Sequence, residues 1–200
     1  MLSDPEEACQ LKQIHSNIIY EIHSSQDLAQ VRGKEGDGLL SYLPNRPLLI
    51  KTADCVPILL AHPQGIIGAL HAGWRGSSQQ ILSLALKKIE ALSLDLKEVK
   101  LWIGPAIAFS CYEVGEEVAK HFPEAVFGPC LRPAKSPGKY YLGLQEANYY
   151  LALKAGVPKS NLYLSPHCTF CEPQDYYSYR WAKQNHKEET ARNHSWIVFN

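Results

Sequence analysis

Cys55 and His71 have the types and the setting to do chemistry together. Cys55 follows Thr52-Ala53-Asp54 and opens an apolar run, Val56 to Ala61; His71 closes a second, Ile66 to Leu70, and His62-Pro63-Gln64-Gly65 lies between. Short apolar runs bounded by Pro and Gly suit buried strands, and the residues between them predict a hairpin. In an antiparallel pair the start of one strand lies beside the end of the next. The thiol and the imidazole are therefore expected at one end of a sheet. Thiolate and imidazole are zinc donors, and a catalytic zinc keeps one position open. His15, in an apolar stretch that reads as a strand, is the best third donor. Such a His2Cys centre would carry roughly one net positive charge, because the thiolate offsets half the metal's charge. Arg75, four residues beyond His71 and beside a Gly73-Trp74 turn, could hold an anion such as phosphate next to it. Asp54 could act as an acid/base or orient a ligand imidazole.

Each of these residues also has a purely structural reading. Cys55 could be a small buried hydrophobe, His71 a satisfied core residue, Asp54 a turn residue bonded to the backbone, and Arg75 half of a surface ion pair. Cys168-Thr169-Phe170-Cys171, preceded by His167, is a CxxC pair of the kind used in zinc and redox sites. No second CxxC and no βαβ pattern accompany it. Nothing in the sequence places a base beside Cys111.

The elements that must position these residues are short. Gln10 to Ile22 reads as two strands bent at Ser16-Asn17, Gln26 to Gly38 as a polar stretch ending in a turn, and Leu39 to Ser41 and Leu48 to Lys51 as strands. Ile81, Leu84, Ala85, Ile89 and Leu92 recur at helical spacing within a helix expected over Ser77 to Leu92. Val99 to Ile103, Cys111 to Val114, Tyr140 to Leu142, Leu162 to Leu164, Asp175 to Trp181 and Ser195 to Phe199 read as strands; Glu116 to Phe122 and Leu144 to Lys154 read as helices. Pro123 to Gly138 and Lys183 to Asn193 read as surface loops. Many short strands with two solid helices predict one mixed α+β domain over residues 1–200.

The 20 Lys and Arg balance 20 Asp and Glu, so no basic excess points to nucleic acid or a membrane surface. No leader pattern or membrane-length apolar run is visible, so the expected compartment is the cytoplasm, where the six cysteines stay reduced. A monomer is expected.

At Thr52-Ala53-Asp54-Cys55 and His71-Ala72-Gly73-Trp74-Arg75-Gly76 the chain resembles the YfiH family. Gln13-Ile14-His15, Gly36-Asp37-Gly38, Ile103-Gly104-Pro105-Ala106-Ile107, Cys111-Tyr112-Glu113-Val114, Cys168-Thr169 and Tyr177-Ser178-Tyr179-Arg180 match further blocks, so the resemblance covers nearly the whole chain. Members carry an older label of multicopper polyphenol oxidase or laccase-domain protein. They are described as zinc-dependent purine nucleoside phosphorylases with adenosine deaminase and methylthioadenosine phosphorylase activity. The resemblance implies His15, Cys55 and His71 as metal ligands, Zn2+ as cofactor (Cu2+ under the older label), and purine nucleosides and phosphate as partners. Arg75 and Arg180 would bind phosphate, and Cys55, Asp54 and Arg75 would be catalytic. The implied fold is two packed mixed β-sheets flanked by helices, similar to the cytotoxic necrotizing factor deamidase domain. Three departures stand out: the family's Thr-Arg-x-Gly-Gly-Val-Ser segment has no counterpart, its Arg-Arg pair is Arg180-Trp181 here, and its Thr-Gly-Arg-Met block is Thr190-Ala191-Arg192-Asn193.

The rival hypotheses are a metal-free hydrolase or deamidase with Cys55 as nucleophile and His71 as base, a copper oxidase, and a non-catalytic metal-binding protein. One His2Cys centre lacks the several coppers a laccase needs.

Overall fold

The computed structural model describes residues 8–188 and 191–200. Its centre is the expected hairpin, β4 (Val56–His62) and β5 (Ile66–Ala72), paired antiparallel from Val56 opposite Ala72 to His62 opposite Ile66. The three-residue turn closes through Gly65, whose φ of +78° is cheap only for glycine.

Around the hairpin, β1 (Ile19–Ile22), β2 (Gly38–Ser41), β6 (Lys100–Ile103) and β10 (Leu162–Leu164) complete a six-stranded sheet in the order β1-β2-β5-β4-β6-β10. The outer pairs β1/β2 and β6/β10 are parallel and the inner pairs antiparallel, so the sheet is mixed. All seven residues of β5 are buried, as a central strand covered on both faces requires.

One face carries the larger core. There Ile58, Leu60, Leu70, Leu101 and Ile103 meet the apolar sides of α3 (Ile81–Glu90) and α6 (Leu144–Lys154). The other face is covered by a two-stranded antiparallel sheet of β3 (Leu48–Thr52) and β11 (Asn193–Ile197), with Leu48 and Ile50 against Leu39, Ile67 and Ala69. Each fully buried aliphatic side chain contributes about 1.5–3 kcal/mol, so the hairpin is fixed from both sides. A small antiparallel sheet, β7 (Glu113–Gly115), β9 (Lys139–Leu142) and β8 (Leu131–Pro133), stands at the edge. The two packed sheets flanked by helices are thus present, with this third sheet added.

Besides the setting of His15, described below, four expectations are corrected. The polar stretch after Ile22 holds a helix, α1 (Ser25–Val31), started by a capping box in which Ser24 accepts from the Asp27 amide and Asp27 accepts from that of Ser24. The helix expected over Ser77 to Leu92 is two: α2 (Trp74–Ser78) and α3, separated at Gln80, whose φ is +58°. The aperiodic stretch 123–138 contains α5 (Glu124–Phe127) and β8, and it buries Phe127 and Cys130. Asp175 to Trp181 is not a strand: its alternating tyrosines lead into α7 (Tyr179–Gln184), capped by the Ser178 hydroxyl accepting from the Trp181 amide. One more short helix, α4 (Glu116–Ala119), follows β7. Thr190 lies outside the described residues.

Candidate functional site

The ligating atoms of His15, Cys55 and His71 lie within 4.8 Å of one another. Cys55 sits just before β4 and His71 is the penultimate residue of β5, so the hairpin delivers both to one end as expected.

His15 arrives differently. It is an exposed residue on a bend with a φ of +61°, not mid-strand. Its segment is strapped down on both sides. The Gln13 side chain mimics a strand neighbour, donating to the Lys51 carbonyl at 2.7 Å and accepting from the Lys51 amide at 2.8 Å. The Lys12 amide donates to the Lys34 carbonyl, and the Gly36 amide to that of Lys12.

Asp37, wholly buried, joins the two histidines. Its Oδ1 bonds His71 Nδ1 at 2.7 Å and accepts from the His15 amide at 3.0 Å. Its Oδ2 accepts from the Ser16 amide at 2.6 Å, the Ser16 hydroxyl at 2.7 Å and the Ile14 amide at 3.3 Å. With Nδ1 held by the carboxylate, the Nε2 of His71 is left for the site, the arrangement by which carboxylates orient ligand imidazoles. Burial pushes the Asp37 carboxyl up, but the hydrogen bonds from His71 and Ser16 prevail and bring it down to about 2. For His71, burial opposes the charged form, and the bonds to Asp37 and Cys55 outweigh it, raising the imidazole to about 9. Cys55 is likewise pushed up by burial, yet its hydrogen bonds with His15 and His71 bring it down to about 7. The site makes this thiol easier to ionise than a free one.

Gly73 forms the floor: a Cβ there would stand 2.8 Å from the Cys55 sulfur and 3.0 Å from His15 Cδ2. The donors therefore close over a residue with no side chain.

The three open onto a cavity of about 650 Å3, also lined by Lys51, Arg75, Arg180, Lys183 and Arg192, with Asp54 the one acidic residue on its wall among the described residues. This balance suits an anion. The Arg75 guanidinium lies over the Trp74 ring, 4.3 Å from its centroid. Arg180 donates from Nη1 to the Glu113 carbonyl at 3.1 Å and stacks on Tyr112 at 5.2 Å.

Asp54 does not touch the imidazoles. Its carboxylate accepts from the Thr169 hydroxyl at 2.8 Å and the Arg180 amide at 2.7 Å. It therefore ties the loop after β10 and the start of α7 to the turn before Cys55. Asp37 and Thr169 are contributors that the sequence reading gave no role, and Gly73 was read only as part of a turn beside Arg75. Gly36-Asp37-Gly38 was visible as a turn, but a carboxylate whose partner lies in another strand leaves no local pattern.

Two imidazoles and a thiolate form a donor set that fits zinc, and copper also accepts it. Around zinc, a thiolate sulfur and an imidazole nitrogen stand about 3.5 Å apart, within the observed spread.

The chain belongs to the family described as multi-copper polyphenol oxidoreductase laccase, whose family model matches residues 1–200. It is similar to adenosine deaminase RL5 from an unknown prokaryotic organism, 35% identical over 147 residues that make up 72% of this chain and 56% of RL5. It is also similar to a purine nucleoside phosphorylase of Xylella fastidiosa (strain 9a5c), 30% identical over 200 residues, 98% of this chain and 75% of the relative. Among solved structures, the hypothetical protein YfiH of Bacillus licheniformis superposes with a TM-score of 0.89 at 27% identity, covering 98% of this chain and 76% of that one. No helix among the described residues is long and apolar enough to cross a membrane.

Proposed function

We propose that the protein is a zinc-dependent purine nucleoside phosphorylase acting on adenosine, inosine and methylthioadenosine, and that it also deaminates adenosine. The observation that carries this is the convergence of His15, Cys55 and His71 on the wall of a cavity that also presents Arg75 and Arg180. The names of the relatives point the same way.

In phosphorolysis a phosphate oxygen bonds to the ribose anomeric carbon while the bond to the purine nitrogen breaks. The purine leaves with the electron pair and takes up a proton. Zinc held by His15, Cys55 and His71 would supply a cationic Lewis-acid centre. Arg75 and Arg180 orient the phosphate and screen its charge from the nucleophilic oxygen's partners, which is electrostatic and orientational catalysis. Asp54 acts through Arg180, by fixing the amide at the start of α7. Asp37 fixes the tautomer of His71 and the placement of His15.

The test is incubation of the zinc-loaded protein with adenosine, with and without phosphate, followed by separation of products. Phosphate-dependent adenine is expected, together with inosine. No adenine or inosine above a Cys55→Ala control would overturn the proposal.

One feature favours a second reading. Asp37, His71 and Cys55 follow one another in the order orienter, base, nucleophile, so a metal-free thiol hydrolase is chemically coherent. Rapid alkylation of Cys55 in zinc-replete protein would favour it, because a metal-bound thiolate is protected.

A further inference from the structure

Cys111, Cys168 and Cys171 form a second cluster, with sulfur atoms all within 4.8 Å of one another. We propose that these three thiols are a second metal site, binding a thiophilic cation of the zinc or monovalent copper class that braces the wall of the cavity.

The geometry argues first. The sulfurs of Cys111 and Cys171 are 3.3 Å apart, and all three cysteines are free thiols. Sulfurs around one tetrahedral zinc stand about 3.8 Å apart, between the Cys111–Cys171 separation and the outer limit of the cluster. The local backbone argues second. The Ala108 amide donates to the Cys168 sulfur at 3.3 Å, so a backbone donor from the neighbouring loop already faces the first sulfur of the CxxC turn and favours negative charge there. Without a cation, three thiolates this close would repel one another, and only a metal lets all three ionise, each releasing its proton to solvent.

Access is graded from the buried Cys168 through half-buried Cys111 to exposed Cys171. An ion can therefore enter from the surface and keep its fourth position toward solvent.

The placement gives the site a purpose. Cys168 pairs with Ala106 in an isolated parallel bridge, and the Thr169 amide donates to the Ala106 carbonyl. Thr169 holds Asp54, which holds the Arg180 amide. A metal joining Cys111 to Cys168 and Cys171 would cross-link two loops 60 residues apart in sequence and stiffen the chain of contacts that ends at Arg180.

The experiment counts metal in the full chain, purified anaerobically and loaded with zinc or, under reductant, with monovalent copper. It also follows iodoacetamide labelling of each cysteine by peptide mass spectrometry. Wild type is expected to hold one equivalent more than Cys171→Ser. His15→Ala should lose the other equivalent, so the two sites, and the phosphorolysis reading, stand or fall separately. Because Cys171 is exposed, its replacement by Ser leaves the packing intact. The labelling on unmodified protein tests the site without any variant. At least one of the two metals should slow alkylation of Cys171 by at least about tenfold, and a chelator should restore it. Protection by zinc alone or by copper alone identifies the ion. Equal metal content in wild type and Cys171→Ser, no protection by either metal, or a Cys111–Cys171 disulfide in the anaerobic protein would each overturn the proposal.

Discussion

Replacing Asp37 with Asn is nearly isosteric, yet it strikes the hinge of the candidate site. The carboxylate accepts five hydrogen bonds, two at Oδ1 from His15 and His71 and three at Oδ2 from Ile14 and Ser16. An amide can place its one oxygen at the Oδ2 position and keep the Ser16 contacts. Its NH2 then faces the His15 amide, a donor opposite a donor, and it also faces His71 Nδ1. The imidazole can accept from that NH2 only by moving its own proton to Nε2, which removes the lone pair that faces Cys55. Loss of a partner that orients a ligand imidazole costs about 10- to 100-fold in metal affinity, or about 1.4–2.7 kcal/mol. The metal-free fold also loses two charge-assisted bonds worth about 1.5–3 kcal/mol each. Competition against a chromophoric zinc chelator measures the first loss and urea unfolding of metal-free protein the second. An affinity within about twofold of wild type would refute the argument that Asp37 sets the tautomer of His71.

Gly73→Ala should cost about 1–3 kcal/mol by overpacking and lower zinc affinity, since its methyl would stand 2.8 Å from the Cys55 sulfur; urea melts and chelator competition read both. Arg180→Ala should raise the KM for phosphate about 10- to 100-fold, the worth of one charged hydrogen bond, and leave zinc content at the His15 site unchanged by elemental analysis. In metal-free protein two shifts oppose, so the pH dependence between 6.5 and 9 should be shallow. The folded His71 is raised to about 9 from 6.5, so its contribution is complete below 6.5 and disappears as pH climbs through 9, while the folded Cys55 is lowered to about 7 from 9.0, so its contribution is complete above 9 and disappears as pH falls through 7. Cys55→Ala leaves His71 paired with Asp37 alone, and its unfolding across that range should show stability falling with pH more steeply than wild type.

The parts legible in the sequence were those written in local pattern. The β4–β5 hairpin announced itself by two apolar runs around Pro63 and Gly65, and that alone brought Cys55 to His71. The helix α6 occupies the residues read for it, Leu144 to Lys154. What stayed hidden was written in distant contacts. Asp37 lies 34 residues from His71, and Asp54 lies 126 from Arg180; neither separation leaves a period to read. The alternating tyrosines before Trp181 mimicked a strand because the Ser178 cap that starts α7 outweighs a few residues of β propensity. The Ser24–Asp27 capping box was present in the sequence but overshadowed by its polar surroundings.

The three donors of the His15 site differ in how firmly they are mounted. Cys55 and His71 rise from a hairpin buried at the centre of the main sheet, while His15 rides on a peripheral stretch pinned by Gln13 and Asp37. With the proposed ligand set, ion capture and docking of that stretch would be one equilibrium. Anything that peels the early residues away from Lys51 would then release the ion, and a loaded ion should slow hydrogen exchange in residues far along the chain from either hairpin donor.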